Sequence, residues 1–160
     1  MRLQHLALAG ALTLAASPSL AADLVRMIPP NAGIATSVAV PAGAKTVYVS
    51  GITPPAVTPA ANGQPAVYGD TKTQTTGVLN RIADALKAHD MTMADVAMMR
   101  VYLVADPATG QMDFAGMNAA YGQFFGTPAQ PNRPARMTTQ VPRLAGPFLV
   151  EIEVQAAKAP

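Results

Sequence analysis

The residues best suited to chemistry lie close to the C-terminus. Arg136 begins a short strand-like run, residues 136–141, and Glu151 and Glu153 lie in a second run, residues 148–154. An arginine presents a planar fork of N–H donors that matches a carboxylate, and a nearby glutamate can direct a water molecule. This combination is typical of either a structural ion pair or a site for a small acid. The residue types alone favour the ion pair, which contributes about 0 to 1 kcal/mol at a surface.

Several common catalytic sites are excluded because their residues are missing. The chain has no cysteine, which excludes disulfides, thiol catalysis and cysteine-bound metals. Its histidines are His5 and His89, and His89 is expected at the end of a helix, in contact with free carbonyls. We therefore expect neither a serine triad nor a metal site. A glycine-rich phosphate loop with its lysine is also missing from the sequence.

The N-terminus has the pattern of a signal peptide. Arg2 precedes an apolar run, residues 6–16, and Ser19-Leu20-Ala21 forms a small-x-small cleavage site. The run is too short to span a bilayer as a stable helix, and no later segment is apolar enough. We therefore expect a signal peptide over residues 1–21, a single domain over residues 22–160, and a secreted or periplasmic protein without a membrane span.

Length and composition indicate one packed domain. The chain has 160 residues, of which 50% are hydrophobic and 12% charged, enough for a core and too apolar for disorder. Removal of Arg2 with the signal peptide leaves ten basic and nine acidic residues, a formal charge of +1. This balance gives no electrostatic reason to expect nucleic acid as a partner.

Hydrophobic periodicity predicts the elements that must position Arg136. A helix is expected over residues 71–88 behind Asp70 as N-cap, and a second behind Asp113, with Phe114 to Phe124 carrying a buried stripe. Alternation predicts five strands: residues 34–40, 46–50, 95–104, 136–141 and 148–154. The first two and the last two are expected to form antiparallel hairpins, and the third an interior strand. This order predicts an α+β fold with helices on one face of one sheet.

Three further segments are interpreted from composition. Residues 23–33 are expected to be an irregular lead-in, and residues 52–68, with four prolines, a long loop of the kind that is usually functional or mobile. The sheet face without helices is expected to meet either water or identical subunits. The low charge of the chain favours the subunits.

Short motifs occur along almost the whole mature chain: Val49-Ser50-Gly51, Gln74-Thr75 with Leu79-Asn80, Asp95-Val96, Asp113-Phe114 with Met117-Asn118 and Tyr121, Pro134-Ala135-Arg136, and Val150-Glu151-Ile152-Glu153. In this order and approximate spacing they resemble the reactive-intermediate deaminase family, also called Rid or YjgF-like. The resemblance implies a chorismate-mutase-like α+β fold, with two helices on one face of a single mixed sheet. It also implies a homotrimeric barrel with three clefts between subunits.

The activity implied by the resemblance needs no cofactor. Such proteins hydrolyse 2-imino and 2-enamino acids, such as 2-aminoacrylate or 2-iminopropanoate, to 2-oxo acids and ammonia. The family pattern makes Arg136 the anchor for the substrate carboxylate and Glu151 the residue that positions water. Ser50 completes the catalytic set, and Glu153 keeps a structural role.

The same resemblance assigns residues to the substrate-binding wall. Gly51 belongs to the serine-glycine wall of the cleft, and Thr138 lies where the family places a small side chain beside the substrate. Asn118 matches an asparagine at the cleft margin, with a structural bond to a nearby loop as an equal alternative. One departure affects activity: the first-strand tyrosine of imine deaminases is replaced here by Thr36 or Ser37.

Two other classes of function remain open. The same cleft can hold a small carboxylic acid, such as a 2-oxo acid, without turnover, and the missing tyrosine permits this binding module. A structural or chaperone-like protein is the other alternative. Nuclease activity has been assigned to members of the family, but the charge balance does not support it here.

Overall fold

The computed structural model describes residues 23–159, so the expected signal peptide lies outside the described residues. The helices are α1 (Thr71–Lys87) and α2 (Phe114–Tyr121), and a 3-10 turn covers Met93–Asp95. The strands are β1 (Val25–Met27), β2 (Ser37–Ala39), β3 (Lys45–Ile52), β4 (Val96–Leu103), β5 (Ala135–Gln140) and β6 (Val150–Lys158).

The main sheet is mixed and has the strand order β3-β6-β4-β5. Strand β6 is antiparallel to both β3 and β4, whereas β5 runs parallel to β4. Helix α1 packs on β6 and β3, and α2 packs against α1. The predicted architecture, two helices on one face of a mixed sheet with residues 95–104 as an interior strand, is confirmed.

Both predicted hairpins are wrong. Residues 34–40 do not pair with residues 46–50, because β2 pairs with β1 from the supposedly irregular lead-in. The two C-terminal strands do not pair with each other, because β4 lies between them. Strand β5 follows α2 in a strand-helix-strand unit, the connection that parallel neighbours require.

Helix α1 begins where the sequence predicts. The carboxylate of Asp70 accepts a hydrogen bond of 2.7 Å from the backbone N–H of Thr73, which caps the helix. The buried face of α1 carries four fully buried apolar residues, Val78, Leu79, Ile82 and Leu86. This face covers the centre of the sheet and fixes where β6 lies.

The buried side chain of Gln74 ties α1 to the start of β6. Its Nε2 donates to the carbonyl of Gly69 over 2.9 Å, and its Oε1 accepts from the backbone N–H of Leu149 over 2.8 Å. Both groups of the amide are therefore satisfied inside the protein. The bond to Leu149 holds β6 at the point where the strand begins, two residues before Glu151.

Helix α2 is capped by Asp113, which accepts from the N–H of Gly116 over 2.8 Å. Met117 and Tyr121 are buried as predicted, but Phe114, expected on the same buried stripe, is 43% exposed. Phe114 is the first residue of the helix and lies beside Arg136 instead of over the core.

The long loop contains a small hairpin that periodicity did not indicate. Isolated bridges join Thr58 to Val67 and Ala61 to Gln64. Asn62 and Gly63 have φ angles of 51° and 76°, which a two-residue type I′ turn requires. The Asn-Gly dipeptide was the sequence signal for this turn.

Strand β6 has the two faces that its alternation predicts. Val150, Ile152 and Val154 are buried under the helices, while Glu151 and Glu153 are on the opposite face. No helix within residues 23–159 is long and apolar enough to cross a membrane.

Candidate functional site

Arg136 lies against helix α2. In the register of β5 and β4 it is paired with the buried Met99, so its side chain is on the face that the helices cover. The guanidinium carbon lies 4.4 Å from the ring centre of Tyr121 and 5.8 Å from that of Phe114. One guanidinium nitrogen is 3.8 Å from the sulfur of Met117. The charged group is thus held between aromatic and thioether surfaces.

No acidic side chain of the described chain neutralises Arg136. Within residues 23–159, the only ion pair with an N–O distance under 4.0 Å joins Arg100 to Glu153, at 2.9 Å. Burial lowers the pKa of Arg136, an effect that the interaction with Tyr121 partly offsets. Arginine side chains are not deprotonated in proteins near neutral pH, so the group still carries its charge. Arg136 is therefore a partly buried positive charge without a counter-ion among these residues.

Two hydroxyl groups are buried close to Arg136. Thr138 is two residues along the same face of β5, and Tyr121 contacts the guanidinium through its ring. The hydroxyl oxygens of both are buried, and neither has a hydrogen-bond partner among residues 23–159. Burial raises the pKa of Tyr121 to about 12, so its hydroxyl remains protonated at neutral pH. Buried polar groups normally have partners, so these two hydroxyls are left unsatisfied within the single chain.

Glu151 lies directly over Gly51. The pairing of β3 with β6 is irregular between Val49 and Ile52, and a Cβ atom added to Gly51 would overlap the Oε1 atom of Glu151. The absence of a side chain at Gly51 therefore allows the carboxylate to occupy its position. Glu151 also lines a cavity of about 750 Å³ with Arg143, Leu144, Ala145 and Gly146.

Ser50 lies next to a different small cavity. This space of about 200 Å³ is lined by Ser50 together with Arg100, Glu153 and residues of β3 and β6. Glu153 is held there by the ion pair with Arg100, which agrees with the structural role expected for it. Arg100 was not singled out from the sequence, although its position beside Tyr102 in an otherwise apolar strand was the available signal.

The expected site residues fall into two groups within one chain. Arg136 and Thr138 are on the helix-covered face, and Asn118 lies half-buried on α2, next to Met117. Glu151 is paired with Tyr102 and lies on the opposite face. Its carboxylate is next to Gly51, the residue that follows Ser50. A single chain brings Gly51 and Glu151 together, but it does not bring Arg136 and Glu151 into one cavity.

Comparison with known families identifies the chain. The family model described as Endoribonuclease L-PSP matches residues 31–158. The chain belongs to this family, the Rid or YjgF-like family. A RutC family protein of Pyrococcus horikoshii is 39% identical over 92 residues, a match that covers 58% of this chain and 66% of that protein.

Solved structures of Rid proteins have the same fold. A conserved Rid family protein from Yersinia pestis, YyfB, is 26% identical and superposes with a TM-score of 0.63, covering 84% of this chain and 98% of that one. TdcF of E. coli, solved with bound serine, is 29% identical with a TM-score of 0.57, covering 74% and 84% of the two chains. The Rid fold expected from the motifs is confirmed.

Thr36 and Ser37, where the motif resemblance expects a first-strand tyrosine, lie at the start of β2. Thr36 donates its backbone N–H to the carbonyl of Met27 over 2.8 Å, and Ser37 begins β2. Neither side chain is aromatic, so this Rid protein has no phenol at that position.

Proposed function

We propose that this Rid protein hydrolyses small 2-imino and 2-enamino acids to 2-oxo acids and ammonia. The observation that carries the proposal is Arg136, a partly buried guanidinium held by Tyr121 and Phe114 without an acidic partner among residues 23–159. A carboxylate satisfies such a group with two parallel hydrogen bonds. The serine bound to TdcF, a relative, is a small amino acid that carries a carboxylate.

The proposed reaction starts from the protonated imine, with its carboxylate on Arg136. Glu151 accepts a hydrogen bond from water, and the water oxygen attacks C2 while Glu151 takes a proton. The C=N bond becomes a single bond in the resulting carbinolamine. Glu151 returns its proton to the amino nitrogen, and the C–N bond breaks with its electron pair on ammonia. The C=O bond forms at the same time, and the hydroxyl proton passes to Glu151 and then to solvent. Oxygen and protons come from water, so no oxidant or cofactor is needed.

Assembly completes the proposed site. Arg136 and Glu151 are on opposite faces of the sheet in one chain, so a cleft that contains both requires residues from two copies. The uncovered sheet face exposes Tyr48 by 73% and Met137 by 41%, large side chains suited to a subunit interface. We propose the homotrimer of the Rid family as this assembly, and the secreted or periplasmic location remains part of the proposal.

A second candidate function is a carboxylate-binding module without turnover. It is favoured by the lack of a tyrosine at Thr36 or Ser37, since the anchor Arg136 is kept while a phenolic donor is lost. The two candidates share their ligand and differ only in the chemical step.

A variant of Glu151 tests the chemical step separately from ligand binding. An amino-acid oxidase generates short-lived imino acids, and the rate of 2-oxo acid formation is followed with and without the mature protein. We expect acceleration by the wild type and about 100-fold less by Glu151→Gln. Calorimetric binding of pyruvate should be similar in the two proteins. Binding without acceleration by the wild type would establish the binding module.

A further inference from the structure

Arg143 is a second arginine of the site region, and it borders the cavity of Glu151. The cavity of about 750 Å³ is lined by Arg143, a short apolar and backbone wall over residues 144–146, and Glu151. Arg143 also lines an adjoining cavity of about 260 Å³, whose walls include Pro107 and Phe148. Arg143 therefore borders both cavities, which also share Leu144 and Gly146.

Arg143 forms no ion pair with another part of the described chain. Its side chain is exposed, and it has no N–O contact under 4.0 Å with an acidic group of residues 23–159, including Glu151. Arg100 provides the contrast, because its guanidinium is satisfied by Glu153 at 2.9 Å. A cation that lines a cavity without an ion pair favours an anionic group in that cavity.

We propose that Arg143 is a specificity-determining residue that recognises a second carboxylate on the substrate. The substrate class is then the imino acids of acidic amino acids, 2-iminosuccinate and 2-iminoglutarate. This inference rests on the proposed function. With C2 beside Glu151 and the first carboxylate on Arg136 of a second copy, the rest of the substrate occupies the cavity that Arg143 lines. An uncharged side chain there gains nothing from the guanidinium, whereas a carboxylate gains an ion pair.

The size of the effect follows from the exposure of Arg143. Exposed ion pairs contribute up to about 1 kcal/mol, so a second carboxylate should improve affinity about fivefold. Salt screens such a pair, and the preference should therefore decrease when ionic strength is raised from about 0.05 M to 0.5 M.

The test compares two ligands of equal size that differ by one charge. Calorimetry measures the binding of 2-oxoglutarate and of its neutral amide, 2-oxoglutaramate, to the mature wild type, Arg143→Gln, Arg143→Lys and Lys72→Gln. Lys72 is an exposed cation of α1 that lines neither cavity, which makes its variant the matched control. We expect the wild type, the Arg143→Lys variant and the control to prefer the diacid. The Arg143→Gln variant should bind both ligands with the affinity that the wild type has for the amide.

Equal wild-type affinities for the two ligands would overturn the inference, as would the absence of binding or an equal loss of both affinities in Arg143→Gln. Failure of the proposed function gives a different pattern. If no imino acid is hydrolysed but the diacid preference depends on Arg143, the assignment of Arg143 stands and the proposed chemical step fails. If imino acids are hydrolysed without any diacid preference, only the inference about Arg143 fails.

Discussion

The guanidinium of Arg136 lies 4.4 Å from the ring centre of Tyr121. The ring of Phe125 is stacked on that of Tyr121, with ring centres 4.8 Å apart and an interplanar angle of 22°, which helps to fix the Tyr121 ring. Cation–π contacts of this kind contribute about 0.5 to 2 kcal/mol and restrict where the charged group can lie. Tyr121 is thus a positioning residue for the carboxylate anchor.

Replacement of Tyr121 should weaken carboxylate binding through Arg136. We expect Tyr121→Leu, which removes the aromatic face, to raise the dissociation constant for pyruvate about fivefold, since about 1 kcal/mol of cation–π interaction is lost. Tyr121→Phe keeps the face and should bind with nearly wild-type affinity if the ring alone matters. Calorimetry on both variants checks this, and equal weakening in the two would assign the effect to the hydroxyl instead.

A side chain at Gly51 should interfere with Glu151. In Gly51→Ala the new Cβ would overlap the Glu151 carboxylate, whose flexible end can move away without unfolding the strand. Displacement of a group that positions water should lower kcat by about 10- to 100-fold. Gly33→Ala is the control, because a Cβ there meets nothing within 4 Å. A normal kcat in Gly51→Ala would contradict the role given to Glu151.

Removal of the Gln74 amide should destabilise the fold. In Gln74→Ala the carbonyl of Gly69 and the N–H of Leu149 lose their partners, at a cost of about 1 to 3 kcal/mol for each group that stays buried. Urea unfolding measures the change in the free energy of unfolding. Lys72→Gln, on the exposed side of the same helix, should change this free energy by less than about 0.5 kcal/mol.

The cap of α1 should make stability depend on pH. Hydrogen bonding from Thr73 lowers the pKa of Asp70, so the ionised carboxylate stabilises the folded state above the unfolded pKa of about 3.9. This contribution is lost as the pH falls through the lower folded-state pKa. Asp70→Ala should therefore cost about 1 kcal/mol at pH 7, and less once the pH falls below the folded-state pKa. Thermal unfolding across this range tests it, and a cost that does not change with pH would contradict it.

Periodicity predicted the elements well because it reports which side of an element is buried. The faces of β6 and the start of α1 follow directly from alternation and from the capping residue Asp70. Strand pairing could not be predicted, because alternation shows which face of a strand is buried and not which strand lies beside it. The position of β4 between the two C-terminal strands depends on contacts between residues far apart in the sequence, and so does the pairing of β1 with β2.

The candidate site was predictable in part for the same reason. The sequence indicated Arg136 and Glu151 as neighbours on paired strands, but β4 separates them and their side chains are on opposite faces. The glutamate that does form an ion pair, Glu153, takes Arg100 as its partner. The aromatic support of Arg136 by Tyr121 depends on how α2 packs beside β5, which no local pattern reports. Periodicity predicted helices on one face of one sheet, and the motif resemblance added that the sheet is mixed.

The central claim is that Arg136 anchors the carboxylate of an imino acid that this protein hydrolyses. The most direct measurement is the rate at which 2-oxo acid forms from oxidase-generated 2-iminopropanoate in the presence of wild type, Arg136→Gln and the control Lys72→Gln. We predict acceleration by the wild type and the control and none by Arg136→Gln, with all three proteins equally folded by circular dichroism. Acceleration by Arg136→Gln equal to that of the wild type would contradict the claim.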